Sequence, residues 1–262
     1  MATLPTLFVS HGSPMHALVP GEAGAVWQAI AADLPRPRAV LVVSAHWETG
    51  LPMLSSTARH STMHDFSGFP EPLYELRYDA PGAPEVAREA AALLATAGHV
   101  PALNGCRGLD HGAWVPLRWM YPARDVPVLE LSVQTALGTE HHLRLGEALA
   151  PLARDGVLVL GSGHVTHNLH DWMRRQRDPL PLPYVHEFAQ WLAATLEAGD
   201  RTALVDYRAR APSAVRAHPT EEHFLPLYVA LGAAGPGARA VRAHAGTEGN
   251  ALSMDAWRFE PA

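Results

Sequence analysis

Four short runs of nearly uninterrupted apolar residues, Thr6–Ser10, Ala39–Ser44, Val126–Val133 and Gly156–Gly161, are rich in Val, Leu and other strand formers and end in small or polar residues. A strand exposed on one face would alternate apolar with polar; one buried on both faces does not. Between these runs lie stretches with helical spacing, Ala23–Leu34, Ala83–Ala97, Thr139–Arg154, Tyr184–Ala198 and Glu221–Leu231, several opening after Pro, Thr or Gly. Strands alternating with helices predict an α/β fold, a mostly parallel or mixed β-sheet flanked by helices. The segment Thr49–Pro81 is rich in Ser, Pro, Gly and aromatic residues and reads as a hairpin or functional loop over the sheet, and Gly232–Ala240 as a turn before a last strand at Ala240–Ala245.

With 262 residues, 48% of them hydrophobic and 18% charged, the chain can bury a large core, and a single catalytic domain over residues 1–262 is expected. The formal charge is −6 and the basic residues are scattered, so no patch is expected to track nucleic acid. Cys106 is the only cysteine, which excludes an internal disulfide framework and a cysteine-rich metal site. The opening MATLPTLFVSHG has no basic segment before a long apolar run, and no stretch reaches the ~18 apolar residues of a spanning helix. A cytoplasmic location with no membrane partner is therefore expected. Nothing in the pattern speaks to oligomeric state.

Sixteen histidines are the unusual feature, since neutral imidazole is a preferred ligand of first-row metals. His11 follows LFVS, His46 follows VLVVSA, and His164 and His167 follow the strand Gly156–Gly161 in LVLGSGHVTHNLH. In open α/β sheets ligands collect beyond the carboxyl ends of the strands, so these side chains can face one cleft. His111 sits in the Gly-flanked loop GLDHGAW, and His223 at the expected start of a helix in TEEHFLPLY. Any one of these is more often a hydrogen-bonded packing residue. Taken together, so many strand-end histidines would fill a core with polar groups that each need a partner, and a shared metal explains them jointly.

The ordered motifs FVSHGSPM, VVSAHWET, HDFSGFP, GLDHGAWVPL, GSGHVTHNL and HPTEEHFLPLY, from about Leu7 to Met254, resemble the class III extradiol ring-cleavage dioxygenases (LigB-like catalytic subunits), in particular the bacterial branch similar to 4,5-DOPA dioxygenase. The resemblance implies His11, His46 and His223 as ligands of one divalent metal, where better-studied relatives place a glutamate third. Glu222 is the alternative third ligand. His167 resembles the acid/base histidine, carried also as a metal contact, and His111 a second catalytic histidine facing substrate or oxygen. His64 and Trp47 are expected to line the substrate site. His164 takes a structural reading, and His16, His60, His99, His141, His142, His170, His186, His218 and His244 are expected at surface or packing positions.

The implied reaction is non-heme oxidoreductase chemistry: O2 opens the aromatic ring of a small, DOPA-like catechol beside its two oxygenated carbons. Fe(II) would serve catalysis, although a three-histidine site also suits Zn(II), which lacks an accessible redox change. The rivals are a zinc-dependent hydrolase on the same cleft and a non-catalytic binding protein of this fold.

Overall fold

The computed structural model describes residues 3–175 and 180–262. Its strands are β1 (Thr6–Ser10), β2 (Ala39–Glu48), β3 (Met53–Ser55), β4 (Ala102–Asn104), β5 (Val128–Val133), β6 (Val157–Gly163), β7 (Arg239–His244), β8 (Thr247–Glu248), β9 (Leu252–Ser253) and β10 (Ala256–Glu260). The helices are α1 (Gly21–Asp33), α2 (Glu71–Glu75), α3 (Pro84–Thr96), α4 (His111–Met120), α5 (Gly138–Arg154), α6 (Leu169–Arg175), α7 (Pro183–Glu197), α8 (Arg201–Val205), α9 (Tyr207–Arg210), α10 (Ala214–Ala217) and α11 (Leu225–Ala234).

Eight strands form one mixed sheet in the order β4-β3-β5-β2-β6-β1-β10-β7. The central four, β5, β2, β6 and β1, are mutually parallel, while β3 joins β5 and β10 joins β1 antiparallel. The four expected strands are these central ones, because only strands covered on both faces carry continuous apolar runs. Side chains alternate between faces. Leu7, Val9, Val40, Val42, Leu158 and Leu160 pack with Trp27 of α1 and Trp114 of α4. Leu41, Val43, Val157 and Val159 face α3, α5 and α11, and Phe8 and Trp257 face α7 and α11.

Several boundaries differ from expectation, each for a local reason. The Gly-flanked loop around His111 is instead the first turn of α4: Asp110 caps it by accepting from the Ala113 N–H, and Pro116 lies inside the helix, which hid the pattern. The helix expected at Glu221–Leu231 begins at Leu225, where Pro226 occupies the first turn, so His223 lies in the preceding turn. Thr49–Pro81 contains β3 and α2. The last expected strand is β7, and it pairs with an unanticipated neighbour, β10. Among the described residues no helix is long and apolar enough to cross a membrane.

Candidate active site

Parallel central strands place their carboxyl ends along one edge, and His11, His46 and His164 emerge there from β1, β2 and β6. His223 arrives from the turn before α11 and is pinned to that edge: the His164 N–H donates to its carbonyl at 2.8 Å. The glycine at the end of β6 permits this approach, since a Cβ on Gly163 would stand 2.0 Å from the His223 carbonyl oxygen. One ring nitrogen from each of His11, His46 and His223 lies within 4.8 Å of the others.

The hydrogen bonds behind these rings assign their protons. Ser162 Oγ donates to the Gly112 carbonyl, so it accepts from His11 Nδ1–H at 3.0 Å and leaves His11 Nε2 bare. His223 Nδ1–H donates to Glu222 Oε1 at 2.9 Å, and its buried Nε2 has no hydrogen-bond partner. His11 Nε2 and His46 Nε2 stand 3.1 Å apart, while His46 Nδ1 faces Asp65 Oδ2 at 3.7 Å. With the His46 proton on Nδ1, all three Nε2 lone pairs are free for a cation. Burial, reinforced by neighbouring histidines, pushes His11, His46 and His223 well below the usual imidazole value. They are neutral at physiological pH, the form that binds metal without releasing a proton. The residues present therefore fit a divalent metal, as a three-histidine site backed by hydrogen-bonding partners.

Two further histidines complete the surroundings. His167 stacks on His223 with ring centroids 3.4 Å apart and planes 12° from parallel. Burial, then the neighbouring His111, pushes His167 down to about 4. His111 presents Nδ1 to Asp65 Oδ2 at 2.8 Å and its backbone N–H to Oδ1 at 2.8 Å. Burial opposes the charge on Asp65, but these bonds and the nearby His46 outweigh it and hold the carboxyl at about 2. Its ionised oxygens only accept, so His111 carries a proton on Nδ1 and turns Nε2 away from Asp65.

A cavity of about 500 Å³ opens over these groups, within the size range of small-molecule sites. His11, His46, His111, His164, His167 and His223 form its polar side; Pro14, Phe66, Phe69, Leu169, Trp172 and Leu252 form the apolar side. His164, 1% exposed, accepts the N–H of Gly12 on Nε2 at 3.1 Å and so holds the left-handed turn after His11.

Trp47 and His64 do not line the cavity. Trp47 follows His46 in an extended strand and so points the other way, beneath the Arg107 guanidinium at 4.8 Å. The His64 ring bonds the Leu76 carbonyl and packs beside Phe66, Tyr74 and Trp114. Glu222, the alternative ligand, turns its carboxylate to His223 Nδ1. Residues not singled out from sequence include Asp65, Ser162, Glu48 and Trp172; only the HD pair of HDFSGFP hinted at Asp65.

Residues 5–251 match the family model described as the catalytic LigB subunit of aromatic ring-opening dioxygenase. The chain belongs to this family. It is 41% identical over 259 residues to a 4,5-DOPA dioxygenase extradiol of Beta vulgaris, covering 97% of this chain and 96% of that one. A 4,5-DOPA dioxygenase extradiol of Escherichia coli K12 is 37% identical over 88% of this chain and 85% of its own. The crystal structure of an uncharacterised Escherichia coli K12 protein superposes with a TM-score of 0.81 at 30% identity, covering 97% of this chain and 99% of that one. Family and relatives together make this an extradiol ring-opening dioxygenase.

Proposed function

We propose that the protein opens the ring of a small, DOPA-like catechol with O2, using one divalent metal held by His11, His46 and His223. The observation that carries this reading is the convergence of three neutral imidazoles, with the Nε2 of His223 buried and unpartnered, at the floor of a cavity large enough for a single aromatic ring. The relatives named 4,5-DOPA dioxygenase support the substrate class. When bound, Fe(II) would supply the O2 binding and redox chemistry that no side chain here possesses.

The chain's own residues do the rest. His167, neutral near physiological pH, has a lone pair to take a catechol hydroxyl proton and later return it. His111, its proton held toward Asp65, offers Nε2 as an acceptor for a second hydroxyl. Phe66, Phe69 and Trp172 supply apolar walls that flank an aromatic ring and exclude water. Residues from the ends of β1, β2 and β6 and from the turns before α4 and α11 share this one site, which supports reading 1–262 as one catalytic domain. The lone Cys106 suits a reducing cytoplasm.

The all-histidine triad also suits zinc, which favours a hydrolase as the second reading. The deciding experiment is anaerobic reconstitution of metal-free protein with Fe(II) or Zn(II), then air and a panel of catechols including DOPA, following oxygen uptake and a yellow product. Uptake with iron alone is expected. No uptake with any catechol, together with tight zinc binding, overturns the proposal in favour of hydrolysis or ligand binding.

A further inference from the structure

Asp65 lies in the segment between β3 and α2, far in sequence from α4, yet its carboxylate engages the first residue of that helix with both oxygens: Oδ1 accepts the His111 N–H and Oδ2 accepts His111 Nδ1–H, each at 2.8 Å. The same Oδ2 faces His46 Nδ1 at 3.7 Å, and the His46 and His111 rings lie 4.0 Å apart. One anion therefore stands behind two imidazoles that present their other nitrogen to the cavity. Phe66, next in the chain, sets its ring edge-on against His111 at 5.7 Å and forms part of the cavity wall.

We infer that Asp65 is a positioning residue that locks His111 with Nε2 toward the cavity, places its charge behind His46 and ties the Phe66 wall to both. The role rests on the proposed use of His46 as a metal ligand and of His111 as a substrate contact. A neutral imidazole exchanges its two tautomers readily, and an acceptor-only partner selects the one with its proton on the near nitrogen. Loss of the anion frees His111 to carry its proton on Nε2, where it would donate rather than accept. Asp65, His46 and His111 are also close enough to hold a cation themselves. Both carboxylate oxygens, however, are already engaged by N–H donors of His111, which favours the hydrogen-bonding role.

The test uses wild type, Asp65→Asn and Asp65→Glu. In zinc-loaded protein, 15N spectra of the histidines should show His111 protonated on Nδ1 in wild type and shifted toward the other tautomer in Asp65→Asn, with one metal per chain in both. In the iron-loaded enzyme, kcat should fall about 10- to 100-fold in Asp65→Asn with a smaller change in KM, and Asp65→Glu should recover part of it. A wild-type His111 protonated on Nε2, an Asp65→Asn variant with unchanged tautomer and kcat, or a second metal equivalent that Asp65→Asn abolishes would each overturn the inference. If Asp65→Asn does not fold, the wild-type spectrum and Asp65→Glu decide. Failure of iron-loaded wild type to open any catechol would sink the broader reading and leave the spectroscopic arm intact.

Discussion

His11 Nε2 and His46 Nε2 face each other at 3.1 Å across the mouths of two strands that are not neighbours in the sheet, with β6 between them. Ser162 fixes the proton of His11 on its far nitrogen. Two lone pairs aimed at one point repel unless a proton or a cation lies between them. Changing His11, His46 or His223 singly to Ala is therefore expected to strip the metal and to lower turnover more than ~100-fold, beyond the usual loss for an outer partner. Metal analysis on the purified variants, beside circular dichroism, checks this; a variant that keeps a full equivalent of metal excludes that residue as a ligand.

Glu222 separates two roles for a carboxylate. As the acceptor behind His223 it should weaken metal binding about 10- to 100-fold on change to Gln, whereas a direct ligand would cost more. Titration of metal-free protein with zinc against a competing chelator measures the difference. Emptying of the site by Glu222→Gln, with little effect of His223→Ala, would reverse the assignment.

His167 stacks on His223 and, with Glu222, forms a second set of converging donor atoms around it, apart from the His11, His46 and His223 group. His167→Ala should keep its metal and lose about 10²- to 10⁴-fold in turnover, the range for a general acid/base. Single-turnover oxygen uptake with fixed metal content reads this directly, and loss of metal in step with activity would make His167 a ligand.

The central sheet was legible because a strand covered on both faces must be apolar throughout, which marks β1, β2, β5 and β6 unambiguously. The three-residue strands β3 and β4 carry too little pattern, and Pro116 disguised α4 as a loop. For the site, position was enough to find His11, His46 and His164, since the ends of parallel strands share an edge. Position also brought His167 to that edge, but the roles of His223 and His167 needed the ordered motifs. Asp65 and Ser162 act on His111 and His11, 46 and 151 residues away in the chain, which no local period encodes. Trp47 shows the converse, because adjacency to His46 in a strand means the opposite face.

Gly163 gives a backbone test of the site. A methyl group there would meet the His223 carbonyl, so Gly163→Ala should destabilise the fold by about 1–3 kcal/mol and displace His223, weakening metal binding. Gly50 has open space around it, and Gly50→Ala should stay within about 0.5 kcal/mol of wild type. Denaturant unfolding and zinc titration on both variants separate a local clash from a general cost of replacing glycine; equal effects would remove Gly163 from the account.

The pair His16 and Glu248 links the turn after β1 to β8 and should make stability depend on pH in a defined window. His16 Nε2 meets Glu248 Oε2 at 3.1 Å, and the same oxygen accepts the Ser13 N–H, fixing the stretch that leads into the Pro14 wall of the cavity. Burial opposes both charges, but the Glu248 bond raises His16 above 6.5, and the His16 and Ser13 contacts lower Glu248 below 4.5. The raised histidine contributes fully below 6.5 and is lost as pH climbs through its folded value; the lowered carboxylate contributes fully above 4.5 and is lost as pH falls through its own. Both are complete only between those limits. His16→Ala and Glu248→Gln should each cost about 1–2 kcal/mol near the middle of that window and less on either side. Unfolding curves across the pH range, closed into a double-mutant cycle, measure the coupling, and a pH-independent difference would show that the two groups are not charged together.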